Sequence, residues 1–148
     1  MKSPLLYLSP FLFFTTPALG APLSSPSTAA AKTPYFILAG DSTTAVQAAN
    51  GGGWGNGFLS FLTNSAKGVN KGHNGATTKS FVDGGDWATV KSLVTDNIKG
   101  GYDAYVTIQF GHNDQKDTSG VTLQQYQTNL GNMAGDIKSL GGTPVCLF

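Results

Sequence analysis

The chain has 148 residues, with 9 Lys and no Arg, 8 Asp and no Glu, and a formal net charge of +1. Lacking both a basic surplus and the guanidinium fork that reads phosphates and guanine edges, it offers no footing for nucleic acid. A single cysteine, Cys146, excludes an internal disulfide and a multi-cysteine zinc site, and the length allows one domain of ordinary size.

Lys2 precedes an apolar run from Leu5 to Phe14, and Pro17-Ala18-Leu19-Gly20-Ala21 supplies the small residues a signal peptidase needs. Residues 1–20 are therefore expected to be a secretory signal peptide cut near Gly20, and the protein to be extracellular. The run is too short to cross a bilayer core of about 30 Å, so no membrane partner is expected after cleavage. Residues 21–34, rich in Pro, Ser, Ala and Thr, read as a flexible segment. Six of the seven prolines lie at or before Pro34 and 19 of the 20 glycines lie after it, which places the start of the folded part near Tyr35.

Tyr35-Phe36-Ile37-Leu38-Ala39 is a continuous apolar run ended by Gly40-Asp41-Ser42, as in a strand buried on both faces. After the glycine-rich stretch 50–57, Trp54, Phe58, Leu59, Phe61 and Leu62 recur at helical spacing. A short apolar stub surrounds Val69. Asp86 is placed to cap a helix whose apolar face is Trp87, Val90, Leu93, Val94 and Ile98, and Gly100-Gly101 ends it. Tyr105 to Phe110 reads as a strand stopped by Gly111. Thr122-Leu-Gln-Gln125 has the form of a capping box, and Leu123, Tyr126, Leu130, Met133, Ile137 and Leu140 step by three and four. Gly141-Gly142 stops that helix, and Val145-Cys146-Leu147-Phe148 begins another strand, in which Cys146 reads by default as a buried inert thiol or, in an exported protein, as one awaiting a partner in the region expected beyond.

Strands alternating with helices imply an α/β protein, a three-layer α/β/α arrangement with a parallel sheet covered on both faces. Ligands then collect at the carboxyl ends of the strands. Three polar loops fall there: Gly40-Asp41-Ser42-Thr43-Thr44, the segment Asn70–Thr78, and Gly111-His112-Asn113-Asp114. Ser42 on a tight turn is a nucleophile candidate. The main-chain N–H groups of Ser42 and Gly75 and the side-chain amide of Asn113 are candidate donors to an oxyanion. Taken singly, each loop reads first as helix capping or chain reversal. His112, Asp114 and Asp117 as metal ligands, and Asp83 with Asp86 as paired carboxylates, are better explained by a solvated turn and by helix capping. The glycine-rich stretch fits no nucleotide fingerprint. No cofactor or metal is expected.

Together, Gly40-Asp41-Ser42 after one strand, Gly75 in a polar loop and Phe110-Gly111-His112-Asn113-Asp114 after another resemble the SGNH hydrolases, also called the GDSL esterase family. Thr43 in place of the name-giving Leu looks most like the fungal rhamnogalacturonan acetylesterase branch. The resemblance runs from about Tyr35 to Phe148 and implies a flavodoxin-like sheet. It also implies Ser42 as nucleophile, with Ser42, Gly75 and Asn113 at the oxyanion hole. The implied substrate is an acetylated plant cell-wall polysaccharide or another small ester. The family's Asp and His three residues apart have no counterpart, since no Asp here is followed three residues later by His. Replacement of that base by His73 or His112 is disfavoured, because the family's base comes from a separate loop. The chain is therefore expected to be the N-terminal part of such a domain, incomplete on its C-terminal side. The alternative is a non-catalytic fragment or a weak carbohydrate-binding pseudoenzyme.

Overall fold

A computed structural model describes residues 31–47 and 52–147. The expected signal peptide and residues 21–30 of the expected flexible segment lie outside the described residues. Four strands, β1 (Pro34–Gly40), β2 (Lys67–Asn70), β3 (Asp103–Gln109) and β4 (Thr143–Cys146), form one sheet in the order β2-β1-β3-β4. Every pairing is parallel. Four helices, α1 (Trp54–Ser60), α2 (Thr78–Asp83), α3 (Asp86–Lys99) and α4 (Leu123–Ser139), connect and cover them.

Alternation along the strands decides what each face packs. Ile37, Ala39, Val106 and Ile108 join Phe81, Trp87, Val90, Val94, Met133 and Ile137 in one core beneath α2, α3 and α4. Fully burying each of the larger aliphatic side chains contributes about 1.5–3 kcal/mol, so this face dominates stability. On the opposite face Phe36 lies edge-on to Phe58 of α1 at 5.2 Å and stacks on Tyr105 at 5.3 Å. Among the described residues α1 is the only helix on this face. The layers are consequently unequal: Val145, paired with Thr107 there, remains 37% exposed.

The expected strand and long-helix pattern holds, with local differences. The Val69 stub is a true edge strand, β2. Helix α2 is absent from the sequence reading because Thr77-Thr78-Lys79-Ser80 carries no apolar period; it starts by a capping box between Thr77 and Ser80. Helix α1 stops at Ser60, leaving Phe61 83% exposed rather than on the apolar face. Asp86 is the first residue of α3, not its cap; that position belongs to Gly85 in the left-handed region. Strand β4 begins at Thr143 and takes in Pro144. Leu147 N donates to Ile108 O at 3.0 Å, so alternation turns the Pro144 nitrogen toward the outer edge, where a missing donor breaks no ladder bond. Cys146 is half-buried against the core instead of fully enclosed. At α4 the expected box forms: Gln125 N donates to Thr122 Oγ1 and Thr122 N to Gln125 Oε1.

Candidate active site

The first loop leaves β1 through a buried carboxylate. Asp41 Oδ1 accepts from Thr43 N and Thr43 Oγ1, each at 2.9 Å, and the Asp41 carbonyl accepts from Thr44 N and Ala45 N. These bonds wind the chain into a tight turn with Ser42 at its crown. Ser42 is half-buried, and neither its amide nor its hydroxyl has a hydrogen-bond partner among the described residues. Thr44 donates its hydroxyl to Gln109 Oε1 at the end of β3 at 2.9 Å, and the Thr43 hydroxyl also reaches that oxygen, its one proton shared between Gln109 and Asp41. A threonine at position 43 thus ties two strand ends where an apolar residue would not.

The second loop runs along the end of β1. Lys71 N donates to Leu38 O at 2.8 Å and His73 N to Gly40 O at 2.9 Å, continuing the β1–β2 ladder past the last strand residue. Ala76 N then donates to His73 O at 3.1 Å, closing a turn that holds Gly75 at φ +81°. A side chain is strained at that angle, and the Gly75 amide donates to no described residue. Asn70 braces the start of the loop, its Nδ2 donating to Thr44 O at 2.7 Å and its Oδ1 accepting from Gly72 N at 2.9 Å.

The third loop follows β3. Asn113 is only 6% exposed; its Nδ2 donates to Ala76 O at 2.9 Å, and its Oδ1 accepts from Lys116 Nζ at 2.6 Å. Asp114, 4% exposed, accepts from Thr78 N at 2.9 Å and from the Thr78 hydroxyl, fastening this loop to the start of α2. Asn129 of α4 donates to the same hydroxyl at 3.0 Å. Tyr126 donates to Phe110 O at 2.9 Å and lies over Gly111. Burial, followed by the nearby carboxylates of Asp114 and Asp41, pushes the Tyr126 hydroxyl above its usual pKa and keeps it a donor.

The loops bearing the three candidates are therefore tied to one another at the carboxyl ends of β1, β2 and β3. Gly40, two residues before Ser42, holds His73, two residues before Gly75; Ala76, next to Gly75, holds Asn113. Other polar residues behave differently. His73 Nδ1 pairs with Asp86 Oδ2 at 2.6 Å, joining the second loop to α3, while Asp83 pairs with Lys79, so the two carboxylates serve separate partners. His112 is exposed. Asp114 turns its Oδ1 inward to Thr78, and among the described residues no three His, Cys, Asp or Glu side chains converge as a metal-ligand set. A cavity of about 570 Å³ lies beside the third loop, lined by Gly111, Asp114, Lys116, Leu123 and Tyr126 among others; none of Ser42, Gly75 or Asn113 lines it. Sequence reasoning missed Lys116, although its position three residues after Asn113 is the spacing of a side-chain contact across one turn.

A family model described as "GDSL-like Lipase/Acylhydrolase" matches residues 36–144. The chain is 32% identical over 112 residues to rhamnogalacturonan acetylesterase RhgT of Bacillus subtilis, covering 74% of this chain and 46% of that protein. It thus spans about half the length of the curated relative it matches. A crystal structure of the Bacillus subtilis protein YXIM superposes with a TM-score of 0.64 at 16% identity, over 78% of this chain and 32% of that one. A lipase/acylhydrolase from Enterococcus faecalis gives 0.54 at 19% identity, over 77% and 56%. These superpositions agree with the parallel-sheet α/β fold.

Proposed function

Since the chain belongs to the GDSL-like lipase and acylhydrolase family, we propose that it carries the nucleophile and oxyanion donors of a serine esterase. The observation that carries this reading is that three loops tied to one another at the strand ends carry groups with no partner among the described residues, the Ser42 hydroxyl and amide and the Gly75 amide, and also a buried Asn113. A capping role would make the Ser42 hydroxyl oxygen an acceptor, and no described amide donates to it.

In the proposed reaction Ser42 Oγ attacks an ester carbonyl carbon, and the carbonyl oxygen takes up the negative charge. The Ser42 and Gly75 amides and the second Nδ2 hydrogen of Asn113 donate to it. One such donor is worth about 3 kcal/mol of transition-state stabilisation. The serine proton passes to solvent, the alcohol leaves with a proton taken from solvent, and water then releases the acid from the acyl-serine and restores the Ser42 hydroxyl. No counterpart of the resembling enzymes' Asp and His lies in residues 1–148. General-base help contributes about 10²- to 10⁴-fold, so the proposal assigns this chain the acyl-binding half of the machinery and a slow intrinsic rate.

For substrate we propose acetyl esters of cell-wall polysaccharide. Support comes from the 32% identity to a protein named as a rhamnogalacturonan acetylesterase, and from the apolar run and small residues before Ala21, which suit an exported protein reaching such a polymer. The test compares hydrolysis of p-nitrophenyl acetate and release of acetate from acetylated pectin by the wild-type chain and by Ser42→Ala. Loss of turnover in the variant supports the reading. Equal turnover, or none in either, assigns the chain to the non-catalytic alternative.

A further inference from the structure

We propose that Lys116 is a positioning residue for Asn113, orienting and polarising the amide that donates to the oxyanion. The inference rests on the esterase reading and extends it to a residue outside the three oxyanion donors. The two ends of an asparagine amide are nearly the same size, yet one is a donor and the other an acceptor. An amide turned the wrong way would present Oδ1 to the developing anion and repel it.

At Asn113 both ends are determined. Oδ1 receives the Lys116 ammonium at 2.6 Å and Nδ2 donates to Ala76 O at 2.9 Å. Rotating the amide by half a turn would set NH₂ against NH₃⁺ and oxygen against a carbonyl oxygen, so both contacts would become repulsive. The Ala76 bond also consumes only one Nδ2 hydrogen, leaving the other to donate. An ammonium drawing on Oδ1 makes the far N–H more positive, because hydrogen bonds in series polarise one another where water is scarce. Asn113 is 6% exposed, which supplies that condition at the amide, while Lys116 itself is exposed and its ammonium is partly screened by water. Among the described residues no carboxylate pairs with Lys116, so its charge is not cancelled at short range.

The test is phosphonylation by a fluorophosphonate ester: Ser42 Oγ bonds to phosphorus, fluoride leaves, the serine proton passes to solvent, and the phosphoryl oxygen takes the oxyanion position. The full chain, K116M and K116R are followed by intact mass, with the adduct mapped to Ser42. K116M is expected to lower the maximal rate of labelling about tenfold with little change in the concentration for half-maximal rate, and K116R to recover to within about threefold of wild type. Equal rates in wild type and K116M overturn the role of Lys116 and leave the esterase reading intact. K116M and K116R that are equally slow, with lowered unfolding midpoints, make Lys116 a loop support and likewise overturn it. A wild-type chain that never labels at Ser42 overturns the esterase reading and this inference together.

Discussion

Gly40 is the first residue of the motif that delivers Ser42, and the reason it is a glycine is measurable. A Cβ built there would lie 2.3 Å from Thr44 Oγ1, 2.8 Å from Thr44 Cβ and 2.7 Å from Gln109 O. Thr44 is fully buried, and Gln109 O belongs to the neighbouring strand and accepts from Asp41 N at 3.2 Å. Neither can retreat without opening the junction of β1 and β3. One methyl forced into a filled site costs about 1–3 kcal/mol. Loss of the Asp41–Gln109 bond adds about 0.5–1.5 kcal/mol. Against this, Ala restricts the unfolded chain and returns about 0.4–1 kcal/mol. Gly40→Ala is thus expected to destabilise by about 0.5–4 kcal/mol, centred near 2 kcal/mol.

The matched control is Gly135→Ala in α4, where an added Cβ meets nothing within 4 Å on an exposed helix interior. There the same change is expected to stabilise by about 0.5–1 kcal/mol. Urea unfolding reads both: with a slope of about 1–3 kcal/mol per molar, the two midpoints move in opposite directions by amounts well resolved from each other. A second variant sharpens the argument. Thr44→Ala in the Gly40→Ala background removes the nearest oxygen but not Gln109 O, so recovery should be partial. Gly40→Ala as stable as wild type, or fully rescued by Thr44→Ala, would refute the steric account of the junction.

Two further perturbations address the supports of the site. Asp114→Ala removes the acceptor of the buried Thr78 N–H and hydroxyl, and chemical denaturation should show a loss of about 2–4 kcal/mol, with Asp114→Asn losing less because Oδ1 is retained. Asp136 is held below the usual carboxylate range, first by the Trp87 indole N–H at 2.9 Å and also by Lys91. A depressed folded-state pKa stabilises the protein above the unfolded value of about 3.9, and that contribution is lost as pH falls through the folded value. Asp136→Asn should therefore flatten the acid limb of stability below about pH 4 and change its shape little at pH 6–8, as urea midpoints measured across that range would reveal; an unchanged acid limb would contradict the assignment.

Much of this arrangement was legible before any coordinates. Strands β1 and β3 are apolar runs cut off by glycines, and α3 and α4 repeat apolar residues every three or four positions; burial drives both, so pattern reports them. Helix α2 is invisible by the same rule, because its six residues bury mainly Thr78 and Phe81; its start is capped locally by Thr77 and Ser80 and further anchored by Asp114, thirty-six positions away. Asp86 shows how a local rule misleads. A carboxylate at a helix start suits the dipole whether it caps or not, and here its acceptor oxygen is taken by His73 from another loop.

The proposed chemistry depends on a further quantity that composition and periodicity do not carry, the strand register. Gly40 opposes Gln109, so Ser42 and Asn113 leave adjacent parallel strands two and four residues beyond that pair, and Leu38 opposes Asn70, which brings His73 to the Gly40 carbonyl. Parallel strands rise about 3.3 Å per residue, and the smallest slip that keeps each face inward is two residues, or about 6.6 Å. That displacement exceeds any hydrogen-bond reach. It would break the Ala76–Asn113 contact and the Thr44–Gln109 tie while leaving every apolar side chain on its proper face. Burial alone therefore cannot select the register that gathers the loops; the buried polar bonds among Asp41, Gln109, Ala76 and Asn113 discriminate against the slip, and this makes the polar framework beneath the unspent donors as necessary to the proposed site as the donors themselves.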